Sequence, residues 1–397
     1  MCGLAGVVVG RGGSRDGWDP SETLERMSAR LVHRGPDDQG LAWDGRCGLA
    51  HRRLSVIDLS AAGRQPMRTP SGATTLAWNG ELYNFRELKQ QKNLEQESGP
   101  FRSRTDTEVV LHLLERSGHA ALEEFDGMFA LAAWDSRGQK LLLARDPFGI
   151  KPLFLLEHEG CFWFASEIKA LLEVPGYRPE VDVESLHHYF GLNYIPGART
   201  AFVGIRELAP GTWLQIDSEA RVVDRGDFCQ LVAGDGIARQ SVQQAAEKST
   251  GLLRAAVERQ LVSDVPVGVM LSGGLDSSAL AALHAEVRGD AAFHTFSLGF
   301  DDPSFDESDA ARMVARSLGT EHHEIRVTPD RVAELLPAAL AAIDEPYADG
   351  SAIPTWLLAE TARDHVTVLL SGEAGDELHA GYDTHGACRA RLRMRRV

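Results

Sequence analysis

Short apolar or alternating stretches recur between turn residues over the first 228 positions: LAGVVVG, TTLAWNG, MFALAAWD, KLLLARD, CFWFASE and TWLQID. Stretches of this length between turn residues predict strands of β-sheets packed face to face. TDTEVVLHLLERSG reads differently: Val109, Val110, Leu113 and Leu114 fall on one face of a helix, and Gly118 stops it. Residues 233–240, AGDGIARQ, hold two glycines and no apolar period, which places a linker there. Beyond it, Val242, Ala245, Ala246, Leu252, Leu253, Ala256, Val257 and Leu261 keep helical spacing. VPVGVML, TFSLGF and VTVLL read as buried strands, and ALAALHAEV and ESDAARMVARSLG as helices, an alternation that predicts a parallel α/β sheet.

A chain of 397 residues is long enough for two cores, so the expected domains are 2–228 and 241–397. The net charge of −16 argues against a nucleic-acid or anionic-membrane binder and favours small substrates. The closing RARLRMRRV is a local exception, with Arg389, Arg391, Arg393, Arg395 and Arg396, and reads as a solvated tail. Cys2, Cys47, Cys161, Cys229 and Cys388 are odd in number and never spaced as a CxxC pair, which fits a reducing cytosol rather than a disulfide framework or zinc site. The start has too short an apolar run for a signal peptide, and no later stretch reaches the length of a membrane span. The expectation is a soluble cytoplasmic protein.

Two regions carry chemistry. Cys2 follows the initiator methionine, whose removal would leave a thiol beside its own α-amine. An amine with a pKa of about 7.7–8.0 can relay the proton of a thiol near about 8.5, so the thiolate can attack an amide carbonyl. The other region is SGGLDSS (Ser272 to Ser278), between a strand and a helix, where two glycines and a helix N-terminus suit phosphate. No lysine follows the glycines, so it is not a Walker A loop. SGEAGDE (Ser371 to Glu377) ends another strand and brings Glu373, Asp376 and Glu377 to the edge where open α/β sheets bind ligands. Carboxylates facing a phosphate loop imply Mg²⁺, with Asp276 and Asp376 as ligands; helix capping is the alternative for each.

CGLAG, HRGPDDQG, HRRLSVIDL, WNGELYNF, RTDTEV, FDGMFALAAWD, ARDPFGIKPL and FASEIKAL stand in the order found in the class II glutamine amidotransferase domain of asparagine synthetases, which the first half resembles. That resemblance implies an αββα sandwich of the amino-terminal-nucleophile (Ntn) hydrolase type. It also implies that Arg53 holds the carboxylate of glutamine and Asp106 its ammonium. The Asn79 amide and Gly80 N–H would stabilise the oxyanion, and Leu54, Val56, Ile57 and Glu81 would line the pocket. Read from the residues alone, Arg53 and Asp106 could equally be surface charges and Asn79-Gly80 a hairpin turn.

GVMLSGGLDSS, TFSLGFDDPSFDES, LGTEHHEI, DEPYADGSAIPT and LLSGEAGDELHAGY likewise resemble the synthetase domain of the glutamine-hydrolysing asparagine synthetases, a parallel α/β ATP-pyrophosphatase (adenine nucleotide alpha hydrolase-like) domain. By that resemblance Leu271, Ser272, Gly273, Gly274, Asp276, Ser277, Leu298, Ser371 and Gly372 bind ATP, and Glu373 helps form β-aspartyl-AMP, which ammonia converts to asparagine. A homodimer is the assembly the resemblance allows. The chain departs from the family at Met270, where phenylalanine is usual, and at His379-Ala380, where phenylalanine-glycine is usual. Family members continue past Gly381-Tyr382 with helices that carry a lysine near the phosphates and much of the aspartate pocket. An end at Val397 implies a synthetase half short of those elements and apolar surface left exposed. Besides the ligase, the sequence leaves open a glutaminase with a dead synthetase half, an amidotransferase that adenylates another carboxylate, and a non-catalytic nucleotide-binding remnant.

Overall fold

A computed structural model describes residues 1–13, 17–230, 240–289 and 292–394; the linker expected at 233–240 lies, except for Gln240, outside the described residues. Two compact units result, one within Met1–Ile237 together with Ala341–Asp349, the other within Ala238–Leu340 and Gly350–Val397.

The first unit contains strands β1 (Gly3–Val9), β2 (Asp38–Trp43), β3 (Cys47–Arg53), β4 (Met67–Arg68), β5 (Thr74–Leu82), β6 (Gly127–Asp135), β7 (Lys140–Arg145), β8 (Phe154–His158), β9 (Cys161–Ala165), β10 (Ile205–Glu207), β11 (Thr212–Asp217) and β12 (Val222–Asp227). They form two six-stranded sheets, ordered β10-β8-β9-β1-β3-β2 and β12-β11-β7-β6-β5-β4. Every pairing between them is antiparallel.

Successive side chains of a strand point to opposite faces, and β1 is buried on both. Leu4 and Val8 meet Ala77, Ala130, Trp134 and Leu141 between the sheets. Ala5, Val7 and Val9 pack outward against Leu24 and Met27 of the helix Pro20–Ala29. Double-sided burial is why LAGVVVG is a continuous apolar run. On the other side the helix Asp106–Ser117 buries Val109, Val110, Leu113 and Leu114 and packs on β5. The layers are therefore helix, sheet, sheet, helix, the αββα arrangement expected. The helix Pro20–Ala29 went unread in the sequence, although Asp19 caps it through Glu22 N at 2.8 Å and Pro20 opens it.

In the second unit β13 (Val267–Met270), β14 (His294–Phe300), β15 (Glu321–Val327) and β16 (Val368–Leu370) form a parallel sheet ordered β15-β14-β13-β16. One face carries Val267, Val269 and Leu271 against Ala281, Leu283, Ala311 and Ala315 of the helices Leu275–Arg288 and Ser308–Leu318. The other carries Phe296, Ile325 and Val327 against Leu335, Leu357 and Leu358 of the helices Pro329–Ala342 and Ala352–Ala362. Helices on both faces make this the expected α/β domain.

Two segments add detail that the sequence did not show. Much of the closing DTHGACRARLRMRRV is a helix, Asp383–Met394; its Arg389 and Arg391 are exposed, as a solvated tail requires, and Arg395 and Arg396 lie outside the described residues. Part of DEPYADGSAIPT packs with the first unit: Lys169 Nζ contacts Asp344 Oδ1 at 3.0 Å and Ala342 O at 2.8 Å, and Glu345 Oε2 accepts from Ala201 N at 3.0 Å. Among the described residues no helix is long and apolar enough to cross a membrane.

Candidate functional site

Cys2 sits immediately before β1, whose Gly3 pairs with Arg52 of β3. That pairing brings the thiol to the end of β3, where Leu54 N donates to Cys2 Sγ at 3.4 Å and the thiol faces Leu54 O at 3.7 Å. His51, also on β3, reaches across to β5, with Nε2 3.0 Å from Trp78 O. The residues after Trp78 on β5 are Asn79, Gly80 and Glu81.

Arg53 and Asp106 are buried, not surface charges. The Arg53 guanidinium donates to Ser60 O at 3.0 Å, Ile57 O at 3.1 Å and Asp58 O at 2.5 Å, so it shapes the 57–60 loop with three of its five N–H groups. Asp106 opens its helix, and its Oδ2 accepts from Trp78 Nε1 at 3.1 Å and Leu82 N at 2.8 Å. Asn79 and Gly80 lie inside β5 rather than in a hairpin turn. Asn79 is 1% exposed, and its Nδ2 is buried without a hydrogen-bond partner. A buried amide N–H₂ left unpaired costs about 1–3 kcal/mol, which a ligand accepting from it recovers. Gly80 is required by packing: a Cβ there would stand 2.6 Å from Phe129 Cβ and 2.7 Å from Met128 O.

These groups feel one another electrostatically. Burial raises the Cys2 thiol above its ordinary value, with the terminal amine, the Leu54 N–H and Arg53 pulling it down and Asp106 adding to the rise. Burial lowers the Met1 amine to about 6. Asp106 is raised to about 6 by burial against its hydrogen bonds, and Glu81 to about 7 by burial and then by the Asp106 charge. Of the expected pocket residues, Leu54 touches the sulfur through its backbone and the Ile57 carbonyl is bound by Arg53.

Two cations escaped the sequence reading although both lie in quoted motifs. Arg34, in HRGPDDQG, donates to Cys2 O at 2.9 Å. Lys151, in ARDPFGIKPL, is 6% exposed, and burial lowers its amine while Glu81 and Cys2 raise it. Asp146 fixes the turn that presents Lys151, accepting from Phe148 N, Ile150 N and Lys151 N, each at 3.0 Å.

In the second unit Leu271, at the end of β13, is buried, and Ser272–Gly274 lead into the helix Leu275–Arg288. Ser272 Oγ lies 2.9 Å from Ser277 Oγ and accepts from Gly274 N at 3.2 Å, which closes the turn on itself. Gly273 has φ +85°, and a Cβ there would come 2.6 Å from Ala310 Cβ. The cap residue of this helix is Gly274, and no side chain caps the end, so Asp276 is not an N-cap. Its first-turn N–H groups remain for an anion.

Since β13 and β16 are neighbours, the loop after β16 adjoins the first: a Cβ on Gly372 would lie 3.3 Å from Asp276 Cβ, and one on Gly375 would lie 2.3 Å from Asp276 Oδ2. Gly372 thus meets Asp276 and Ser277, Gly375 meets Asp276, Ser371 directly follows β16, and Leu298 is half-buried on β14. Asp376 turns toward Gly381, Glu373 is exposed, and Glu377 accepts from the Tyr382 hydroxyl at 2.9 Å. Ala380, where the resemblance implies glycine, has φ +57°, a left-handed value that favours glycine. Leu275 and Leu378, beside the two loops, are exposed apolar residues.

Residues 1–225 match the glutamine amidotransferase domain family, the class that a thiol at the start of an αββα sandwich defines. Residues 248–396 match the asparagine synthase family. A putative glutamine-hydrolysing asparagine synthetase of Mycobacterium tuberculosis is 38% identical over 96% of this chain and 60% of its own length. Putative glutamine-hydrolysing asparagine synthetase 2 of Methanocaldococcus jannaschii is 33% identical over 97% of this chain and 76% of its own length. The chain belongs to the glutamine-hydrolysing asparagine synthetase family. Glutamine-hydrolysing asparagine synthetase 1 of Bacillus subtilis is 34% identical over 97% of this chain and 59% of its own length. The chain therefore spans about 60% of the length of the Mycobacterium and Bacillus relatives. Among solved structures, the glutamine phosphoribosylpyrophosphate amidotransferase of B. subtilis, complexed with ADP and GMP, aligns over 83% of this chain and 82% of its own at 17% identity, with a TM-score of 0.44.

Proposed function

We propose that the chain is a glutamine-dependent asparagine synthetase, with residues 2–228 as the glutaminase and 241–397 as the ATP-binding synthetase domain. The observation that carries this reading is the buried, unpartnered Asn79 amide on β5, in a unit that also buries Arg53 and Asp106 around the thiol. One fixed cation, one fixed anion and one unpaired donor are what the carboxylate, ammonium and developing oxyanion of glutamine require.

In this reading Met1 is removed and the Cys2 amine takes the thiol proton. A desolvated thiol holds its proton firmly and a desolvated amine takes one weakly. Transfer is therefore uphill at rest and is completed as sulfur attacks the side-chain carbonyl of glutamine, when Asn79 Nδ2 and Gly80 N–H meet the oxyanion. The C–N bond then breaks, ammonia leaves with the relayed proton, and water hydrolyses the thioester to glutamate.

The second unit then activates aspartate. Its carboxylate attacks the α-phosphorus of ATP held by Leu271, Ser272, Gly273, Gly274, Asp276, Ser277, Leu298, Ser371 and Gly372, and pyrophosphate leaves. Glu373 assists, and ammonia displaces AMP to give asparagine. Mg²⁺, held by Asp276 and Asp376, would neutralise the phosphates; hard carboxylate oxygens beside an open helix N-terminus fit that ion. We place the protein in the cytosol, a reading that the odd number and scattered spacing of its five cysteines support, and propose a homodimer, which sedimentation would test.

The test is to incubate purified protein with glutamine, aspartate and Mg-ATP and to measure glutamate, AMP and asparagine separately. All three products support the proposal. Glutamate without AMP, glutamate and AMP without asparagine, or none of the three overturns it.

A further inference from the structure

We propose that His294, His323 and His365 bind a first-row divalent transition-metal ion, with Zn²⁺ as the reference case. The three come from separate segments of the second unit. His294 opens β14 and His323 is the third residue of β15; in the parallel register His294 is level with Glu321, and His323 with Phe296. Level residues share a face, so both imidazoles rise from the side that carries Phe296. The helix Ala352–Ala362 packs on that side against β14 and β15. A turn closed by His365 N and Val366 N donating to Ala362 O, at 2.9 and 2.8 Å, brings His365 back over the strands.

The rings converge. His294 Nδ1 lies 3.0 Å from His323 Nε2, and one ring nitrogen from each of the three histidines lies within 4.8 Å of the others. His323 stacks on Phe296 with centroids 4.9 Å apart and planes 16° apart, which fixes its orientation, and the His365 centroid is 4.1 Å from that of His323. Imidazoles gathered so closely repel if protonated and share few protons if neutral. An ion bonded to nitrogen at about 2.0–2.1 Å sets neighbouring nitrogens roughly 3.3 Å apart in a tetrahedron. The half-buried His294–His323 pair is already near that spacing, and exposed His365 supplies the remaining movement.

Glu321 Oε2, 3.1 Å from the same His294 Nδ1, is placed to serve as a fourth ligand. Three imidazoles with one carboxylate suit zinc, nickel or copper, not Mg²⁺, which takes oxygen ligands. The site is distinct from the nucleotide loops: those leave the carboxyl ends of β13 and β16, whereas His294 and His365 lie at the amino ends of β14 and β16. Its bound ion would tie β14, β15 and the segment entering β16 into one clip.

The experiment titrates Zn²⁺ into the untagged, chelator-stripped full chain against a chromophoric competitor. The site predicts one equivalent per chain, weakened at least about tenfold in His365→Ala and in His294→Ala and unchanged in His187→Ala. His365 is exposed, so its replacement leaves the fold intact, as circular dichroism would verify. Co²⁺ gives a second readout, predicted as visible ligand-field bands without an intense near-ultraviolet thiolate band. No stoichiometric uptake, uptake that both variants leave unchanged, or a thiolate band overturns the proposal.

Discussion

Arg34 donates its Nε–H to the carbonyl oxygen of Cys2 across 2.9 Å, and the same buried guanidinium meets Glu167 Oε1 at 2.8 Å. Glu167 in turn holds Lys169 at 2.9 Å, and Lys169 holds Asp344 at 3.0 Å. The backbone of the nucleophile is thus clamped by a chain of charges.

Removing Arg34 takes the donor from the Cys2 carbonyl and leaves Glu167 to Lys169 and His33, at a cost of about 1–3 kcal/mol. Arg34→Met should lower the denaturation midpoint accordingly and reduce glutamine hydrolysis. Arg34→Lys should not restore either, because a single ammonium cannot serve the Cys2 carbonyl and Glu167 with the geometry of the fork. Thermal melts together with glutamate release check this.

Asn79→Ala should reduce kcat for glutamine hydrolysis by about 10²–10³-fold and leave KM within a few-fold, because its Nδ2 is assigned to the oxyanion rather than to the ground state. A change confined to KM would place the amide in substrate binding instead.

The pH dependence follows from Asp106, which burial raises to about 6 in the unliganded protein. A folded value above the unfolded one favours the neutral carboxyl. The stability it contributes is full below its unfolded value and is lost as pH rises through about 6, on the order of 1–3 kcal/mol. Glutamine binding runs the other way, since its ammonium needs the carboxylate. KM should climb roughly tenfold per pH unit below about 6. Asp106→Asn should abolish the stability dependence, raise the melting temperature at pH 7.5 relative to wild type, and lose glutamine hydrolysis. Melting curves at two pH values and a KM profile test the pair.

How far the sequence could be read depends on which signals are local. Strands such as LAGVVVG and MFALAAWD declared themselves because burial on both faces writes a continuous apolar run. β15, EHHEIRV, did not, because an edge strand tolerates polar residues and here spends them on histidines. The helix Ala352–Ala362 has no polar stripe to betray its period, and Pro337 interrupts the pattern of Pro329–Ala342. In the site, residue types could not distinguish a buried Arg53 from a surface charge, nor Asn79-Gly80 in a strand from a turn; both were decided by packing. Arg34 and Lys151 stood in plain view within motifs, but their relation to Cys2 arises from segments 32 and 149 residues away and has no local signature.

The nucleotide loop makes a separable claim. Gly273→Ala combines a positive φ with a Cβ 2.6 Å from Ala310 Cβ, a strain of about 1–3 kcal/mol. ATP-dependent AMP formation should fall sharply while glutamate release is retained. Parallel assays of both products on the same preparation check it, and equal loss of the two would indicate general unfolding.

The account rests most directly on the sulfur of Cys2, and the decisive measurement is glutamate release from glutamine by wild-type protein and by Cys2→Ala at matched folding. A loss of at least about 10³-fold, with no γ-glutamyl adduct trapped on the variant, is predicted. Glutamate release that survives the substitution would contradict it.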